Sequence, residues 1–549
     1  ATRYVSGRIQ SLEQVNGKAN VLAEGQLYAG DPDHYKRELA QYASVTPAQV
    51  TAAMQKWLTR PVYELTVAPG EREAYTEAAA TPSGAEPVPA AEIQQVERMA
   101  MPDVGEVPDL DFPDVERTRL SNGIQVVYAQ VDTVPVTRVA VDFDAGYAAD
   151  DAERLGAQAM MLDVMDEGAG GRDANALAQE EERLGVSINL GASMDQTTAS
   201  LSTLSANLGS SLTLLSDVVC RPTLAPAEIE RIRASRLAGL ASEKTQPGAI
   251  AARALPPLLY GADNPYGRSF TGSGDETTIG ALDRDDLIAV HQAWIRPDKA
   301  TIFVVSDMPL SEVTPQLETA FGDWQAPQAP AGTKDFSAPV PASTSRIVLI
   351  DRPQSPQSLI YGGAVLPVSG TDDLLALNAA NVTLGSDFLS RINSDLRETK
   401  GWSYGVRGSV NSLQNRVPYI VNAPVQADRT GDSIAALIAQ YDRFLNTDGV
   451  TAQELERTIN GNTRSLAGGF ETSGAILGAL RSNALYGRPD DYQTTLASRT
   501  RALTASELDT AARREIDPDQ FVWVVVGDAS VVQPQLEALG LPVEVRPAQ

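Results

Sequence analysis

Apolar residues along this chain recur at two spacings. Val5, Ile9, Leu12 and Val15 stand three or four apart, as on one face of a helix. LSNGIQVVYAQVDTVPVTRVAVDFDAG from Leu120 and SRIVLIDRPQSPQSLIYGGAVLP from Ser345 alternate around turns, as antiparallel strands do. Three further segments combine both patterns in one order: ASVTPAQVTAAMQKWLTRPVYELTV from Ala43, ALDRDDLIAVHQAWIRPDKATIFVV from Ala281, and ALTASELDTAARREIDPDQFVWVVV from Ala502. Each offers an N-cap residue, Thr46, Asp283 or Thr504, with Gln49, Asp286 or Glu507 three positions on. A short helix, a turn carrying Pro61, Pro297 or Pro518, and a β-rich strand are predicted to follow. Val45, Leu282 and Leu503 are equivalent, and LYAGDPDHY, LYGADNPYG and LYGRPDDYQ repeat upstream of them.

Self-similarity at this period marks repeated structural units. The chain reads as the tail of one unit followed by two complete ones. Residues 1–69 form the end of a preceding (second) domain, 117–324 a third domain and 344–549 a fourth, joined by linkers at 70–116 and 325–343. The fold class is α+β: tandem similar domains, each an antiparallel-rich mixed sheet covered by helices. The first residues lack the basic start, apolar stretch and small-residue cleavage site of a signal peptide, so the chain is expected to begin inside a domain.

Composition narrows the chemistry. The 549 residues carry 71 acidic against 44 basic side chains, a formal charge of -27 that repels nucleic-acid phosphates. The first linker holds twelve of the acidic residues and only Arg72 and Arg98 as basic ones, the composition of an extended solvated segment. No apolar run is long enough to span a bilayer, so neither nucleic acid nor membrane insertion is expected. Cys220 is the single cysteine, which removes intrachain disulfides and Cys-rich metal sites, and it reads as helix packing rather than a nucleophile. Only two histidines are present: His34, in a turn-like and exposed segment, and His291, on a helix face. Neither has a partner at metal-ligand spacing.

The segments LSNGIQVVY, ERLGAQAMMLDVMDEGAGG, LGVSINLGASMDQTTASLS and LGSDFLSRINSDLRETKGWSYGV resemble the pitrilysin/insulinase family of zinc peptidases. That resemblance covers nearly the whole chain. It implies four similar domains in two halves that close like a clamshell around a chamber, with this chain as the end of domain two plus domains three and four. The family's catalytic domain carries H-x-x-E-H on a helix, both histidines holding zinc and the Glu activating water. Aligned on Gly156 and Gly168, those positions here are Ala159, Leu162 and Asp163, and the third family ligand falls near Gly239. A lone carboxylate cannot supply the three ligands of a catalytic zinc site, so no metal and no catalytic residue is expected in this chain.

The second family signature is LRETKGWSYGV. A helix from Ser386 is predicted to bury Phe388, Leu389, Ile392 and Leu396 and to stop at Gly401, with a strand then placing Trp402, Tyr404 and Val406 on one face. The resemblance implies that Arg397 and Tyr404 hold the substrate across the chamber from zinc. A guanidinium can bind a substrate carbonyl or carboxylate, and a phenol can donate to the scissile carbonyl. The same residues also suit structure alone, since a cation complements a helix C-terminus and Tyr favours strands. Together these imply a chain that is inactive by itself and binds peptide for a zinc-bearing N-terminal half, supplied by the same precursor or by a separate chain. A periplasmic or secreted location fits family habit. The alternative is a catalytically inactive scaffold or peptide-binding protein of the same fold.

Overall fold

Two six-stranded sheets organise the computed structural model, which describes residues 2–68, 70, 105 and 109–548. In the first sheet the strands are β1 (Val115–Arg119), β2 (Gln125–Gln130), β3 (Val136–Phe143), β4 (Ser187–Ala192), β5 (Thr197–Leu204) and β6 (Ala300–Ser306), in spatial order β1-β2-β6-β3-β5-β4. The second holds β7 (Arg346–Asp351), β8 (Gln357–Val365), β9 (Arg407–Val410), β10 (Pro418–Gln426), β11 (Val522–Gly527) and β12 (Val543–Pro547), in order β9-β10-β8-β11-β7-β12. In each, the strand that closes the sequence repeat returns to the centre. β6 runs parallel to β2 and antiparallel to β3, and β11 runs parallel to β7 and antiparallel to β8. Thus β2 and β3 are antiparallel in direction but not paired, because a strand from about 160 residues later lies between them.

The chain divides into two compact units, Ala1–Ala43 with Asp109–Gln549, and Ser44–Pro108. The acidic linker stretch at 71–104 lies outside the described residues. The end of that linker is not fully solvated: Phe112 is buried edge-on against Phe470, and β1 opens at Val115, inside the stretch read as linker. An aromatic ring removes enough apolar surface from water to anchor a segment that is otherwise acidic. The second linker is irregular but fastened. Lys334 donates to the carbonyls of Ala145 and Asp195, and Phe336 packs on Tyr266.

Each sheet buries one face under helices of its own repeat. The first covers Val126, Val139, Val141, Ile302 and Val304, the second Ile347, Leu349, Ile360, Trp523 and Val525. The other face of each is covered by a helix from the other repeat. Pro247–Tyr260 lays Ile250, Ala251, Leu255 and Leu259 on Val348, Val522, Val524 and Val526 of the second sheet. Reciprocally, Ser473–Leu485 lays Ile476, Leu477 and Leu480 on Val127, Ala140, Phe303 and Val305 of the first. Alternation along a strand puts successive residues on opposite faces, so a central strand buried on both reads as a continuous apolar run, as IFVV and VWVVV do. Polar clasps accompany the exchange. Arg481 donates to the buried carboxylate of Asp142 at 2.7 Å, and the buried Glu13 accepts from the backbone of Ser473 at 2.6 Å at the start of the crossing helix.

All three repeat helices start as the sequence predicts. Pro47–Trp57, Arg284–Trp294 and Ala505–Glu515 each have a reciprocal capping box, on Thr46 with Gln49, Asp283 with Asp286 and Thr504 with Glu507. The strand predicted after Pro61 differs: residues 61–68 form no ladder among the described residues, and Val62, Tyr63, Leu65 and Val67 are exposed.

Candidate functional site

The helix Ala157–Met165 carries the positions aligned with the zinc motif. Its start is fixed from outside. The buried Asp150 carboxylate accepts from the backbone N–H groups of Gly156 at 2.7 Å and Gln158 at 2.9 Å, satisfying two donors that a helix leaves unpaired. Burial pushes this carboxyl up to about 7, against the two N–H bonds that favour its charged form. Gly156, at φ +87, permits the turn, and a Cβ there would stand 2.9 Å from the Cα of Gly274. Ala159 and Leu162 are buried hydrocarbon, Leu162 within the first core. Asp163 faces outward and pairs with Arg236 Nη2 at 2.8 Å, on the helix Pro226–Glu243 that also carries Gly239.

These residues do not fit zinc. Two of the three positions have no donor atom, and the carboxylate at the third is engaged by a guanidinium. Among the described residues no group of three or more His, Cys, Asp or Glu side chains could hold a metal ion. The ion pair joins the same two helices that a shared metal would join. Sequence reasoning missed Arg236, although RASRLAGLASEK offers a basic residue one helical turn before Gly239.

The remaining titratable candidates are structural. His291 places Nε2 2.9 Å from the carbonyl oxygen of Val219, and burial holds its pKa below the usual value. His34 is half-buried as the first residue of the helix His34–Ala43, rather than exposed in a turn, and lies beside Arg37. Cys220 ends the helix Leu208–Cys220 against the core, and burial raises its thiol to about 12, far from a nucleophile's range.

Arg397 and Tyr404 lie on an irregular stretch of the second repeat. Ile392 and Leu396 are buried as predicted, but Phe388 and Leu389 are exposed, because the helix opens at Arg391 and not at Ser386. Its continuation, Ser394–Thr399, has π-helical hydrogen bonding, a wider turn often found at functional positions. Gly401, at φ +66, ends it. The strand predicted from Trp402 starts instead at Arg407. Ser403 Oγ bonds the carbonyls of Gly405 and Pro424, and the N–H of Val406 goes to Asn393 Oδ1 at 2.9 Å, which withdraws this stretch from the ladder.

The resulting loop presents Tyr404 with 88% of its surface exposed, and no partner holds its hydroxyl among the described residues. The guanidinium of Arg397 lies 4.5 Å from the ring centroid of Phe388 and 3.1 Å from Glu398 Oε1. A cation, a free phenol and two exposed apolar side chains therefore lie within one stretch of 17 residues, 388–404. Polar bonds tie the backbone beneath them. The buried Asn393 ties Phe388 O and Val406 N together, and Arg391 makes a two-pronged pair with Glu454. Burial alone pushes the Glu454 carboxyl up, but the bonds from Arg391 and Thr451 bring it down to about 2. Asn393 and Arg391 were not singled out from sequence, since nothing local marks the partners they reach. A cavity of about 410 Å³ lies elsewhere, between Tyr147, Asp150, Arg253 and Arg268 of the first repeat and Ile350 and Pro547 of the second, and does not include this stretch.

Comparison with known proteins follows this division. Residues 125–264 match the family model described as insulinase (peptidase family M16), and residues 281–462 match that of the peptidase M16 inactive domain. An uncharacterized zinc protease of Mycobacterium leprae is 24% identical over 387 residues, 69% of this chain and 84% of the relative. A protein of Helicobacter pylori named a non-peptidase homolog is 20% identical over 407 residues, 74% of this chain and 92% of the relative. Among solved structures, a peptidase M16 inactive domain from Pseudomonas fluorescens superposes with a TM-score of 0.70 at 25% identity, covering 76% of this chain and 98% of that one. The periplasmic protease PqqL of Escherichia coli superposes with a TM-score of 0.63 at 16% identity, covering 89% of this chain and 52% of PqqL. With both sheets built alike and both family models matched in order, the chain belongs to the insulinase family, peptidase family M16.

Proposed function

We propose that this chain is the non-catalytic half of a zinc metallopeptidase: it walls one side of a closed chamber and holds the peptide that a zinc-bearing N-terminal half hydrolyses. The observation that carries the reading is the exposed Tyr404, its hydroxyl without a partner among the described residues, seven positions after Arg397, which stacks on Phe388, in a chain whose zinc-motif positions hold Ala159, Leu162 and an ion-paired Asp163. Arg397 would bind a carbonyl or carboxylate of the peptide, Tyr404 would donate a hydrogen bond, and Phe388 and Leu389 would pack its apolar side chains. An extended peptide can also add to a sheet edge, and among the described residues β4 is paired on one side only. Residues 1–69 are then the end of the second domain, and the similarity to a periplasmic protease supports a periplasmic location.

In the enzyme reassembled with its zinc-bearing half, Arg397→Ala and Tyr404→Phe should each lower kcat/KM for a peptide about tenfold or more, with zinc content unchanged. Unchanged kinetics for both would remove their role. A scaffold without peptidase work is the second reading, favoured by the relative named a non-peptidase homolog. It predicts a degenerate motif in the partner half as well.

A further inference from the structure

The cavity of about 410 Å³ between the two repeats is within the size range of small-molecule sites, about 300–1,000 Å³. Most of its wall is hydrocarbon: Leu155, Ile250, Ala254 and Pro257 from the first repeat, and Ile350 of β7 and Pro547 of β12 from the second. The charges set into that wall are uneven. In a chain of net charge -27, this cavity gathers four cations, Lys244, Arg253, Arg268 and Arg546, against two carboxylates, Asp150 and Asp275. Both carboxylates are engaged by backbone: Asp150 accepts from the N–H groups of Gly156 and Gln158, and Asp275 from those of Thr277 and Thr278. Three of the cations are paired, Lys244 with Glu276, Arg253 with Glu243 and Arg546 with Glu544. Arg268 is different. Its Nε donates to the carbonyl of Asp150 at 3.1 Å and its Nη1 to that of Ala262 at 2.7 Å, which fixes the guanidinium without cancelling its charge. Among the described residues it has no ion pair and its Nη2 has no hydrogen bond, and the hydroxyl of Tyr147, on the same lining, has no partner either.

We propose that this cavity binds an apolar monocarboxylate, its hydrocarbon body held between Ile250 and Ala254 on one side and Ile350 and Pro547 on the other, and its carboxylate on Arg268. A guanidinium fixed by two carbonyls and still holding free N–H groups is pre-organised for one carboxylate. Burial of the apolar body against both repeats supplies the remaining affinity. A multiply charged ligand does not suit this wall, because its further charges would lose water against hydrocarbon with nothing to pair them. An extended peptide fails for the same reason, since its amides would find few partners. A fatty acid and a short apolar peptide ending in a free carboxylate share the required chemistry. The site is separate from the stretch that carries Tyr404 and needs no partner half.

Calorimetric titration of the full chain with octanoate, octanamide and N-acetyl-leucyl-phenylalanine tests the proposal. At least one of the two acids should bind saturably at a single site, and octanamide, which differs from octanoate in its uncharged head, should bind about tenfold more weakly or worse. Ala254→Phe fills the cavity and should abolish binding; Arg268→Gln should weaken the acid about tenfold or more, and Arg268→Lys should recover part of that loss. Should Arg268→Gln fail to fold, the octanoate and octanamide pair on the wild-type chain still reads the charge requirement. Binding of octanoate alone would support a fatty acid as the source, and binding of the dipeptide alone a peptide C-terminus. No saturable binding of either acid, octanamide binding as tightly as octanoate, or an affinity untouched by Ala254→Phe would each overturn the proposal and leave a water-filled seam.

Discussion

The helix that opens at Thr46 and the helix that opens at Thr504 share a capping box, a length and an order of apolar positions, yet one leads into a fully buried strand and the other into an exposed stretch. The difference separates two kinds of structural instruction. A helix satisfies its backbone hydrogen bonds within itself, and its cap needs only residues three positions apart, so the same capping pattern gives a helix of the same length in both places. A strand needs neighbours. Val522–Gly527 has β8 and β7 on its flanks and becomes a strand, whereas Tyr63–Val67 has the composition of one and no ladder among the described residues.

That contrast can be broken by substitution. The largest effect is expected at Trp523, buried at the centre of the second sheet: Trp523→Ala should destabilise the chain by about 3–5 kcal/mol in urea unfolding, while Leu65→Ala at the equivalent position should change it by less than about 0.5 kcal/mol. Equal losses at both sites would mean that the first copy is as well packed as the third. The next effect concerns how helices are started from a distance. The folded chain keeps the proton of Asp150 up to about 7, whereas the unfolded chain releases it near 3.8. Between those values the folded state binds more protons, so stability should fall as pH rises, by about 2–3 kcal/mol from pH 5 to pH 8. Asp150→Asn should remove that share of the slope. The smallest effect separates the caps themselves. Thr504→Ala should lower global stability by about 1 kcal/mol, and Thr46→Ala should leave the main unfolding transition in place while helicity falls slightly by circular dichroism.

What could be read from sequence divides along the same line. The caps on Thr46, Asp283 and Thr504 and the central apolar strands are all encoded within a few residues, and each is legible. The start of β9 was misplaced because alternation of Trp402, Tyr404 and Val406 suits a strand, while the bonds that exclude it come from Asn393 and Pro424. Phe388 and Leu389 were expected inside because they continue a helical spacing, but the chain enters that helix later. Arg236 and Arg391 find their carboxylates 73 and 63 positions away, which periodicity cannot register. The crossing helices escaped for the same reason. Spacing tells which face of a helix is apolar, not whose sheet receives it.

That crossing changes what a boundary means in this molecule. A cut in the linker near residue 335 would divide two similar sequences, yet it would strip Ser473–Leu485 from Val127, Phe303 and Val305, and Pro247–Tyr260 from Val522 and Val524. Each fragment would face water with a bare apolar sheet. The two repeats are separate as inheritance and joint as material: a lesion in either core is felt by both, and neither can be lent to another protein without its sibling.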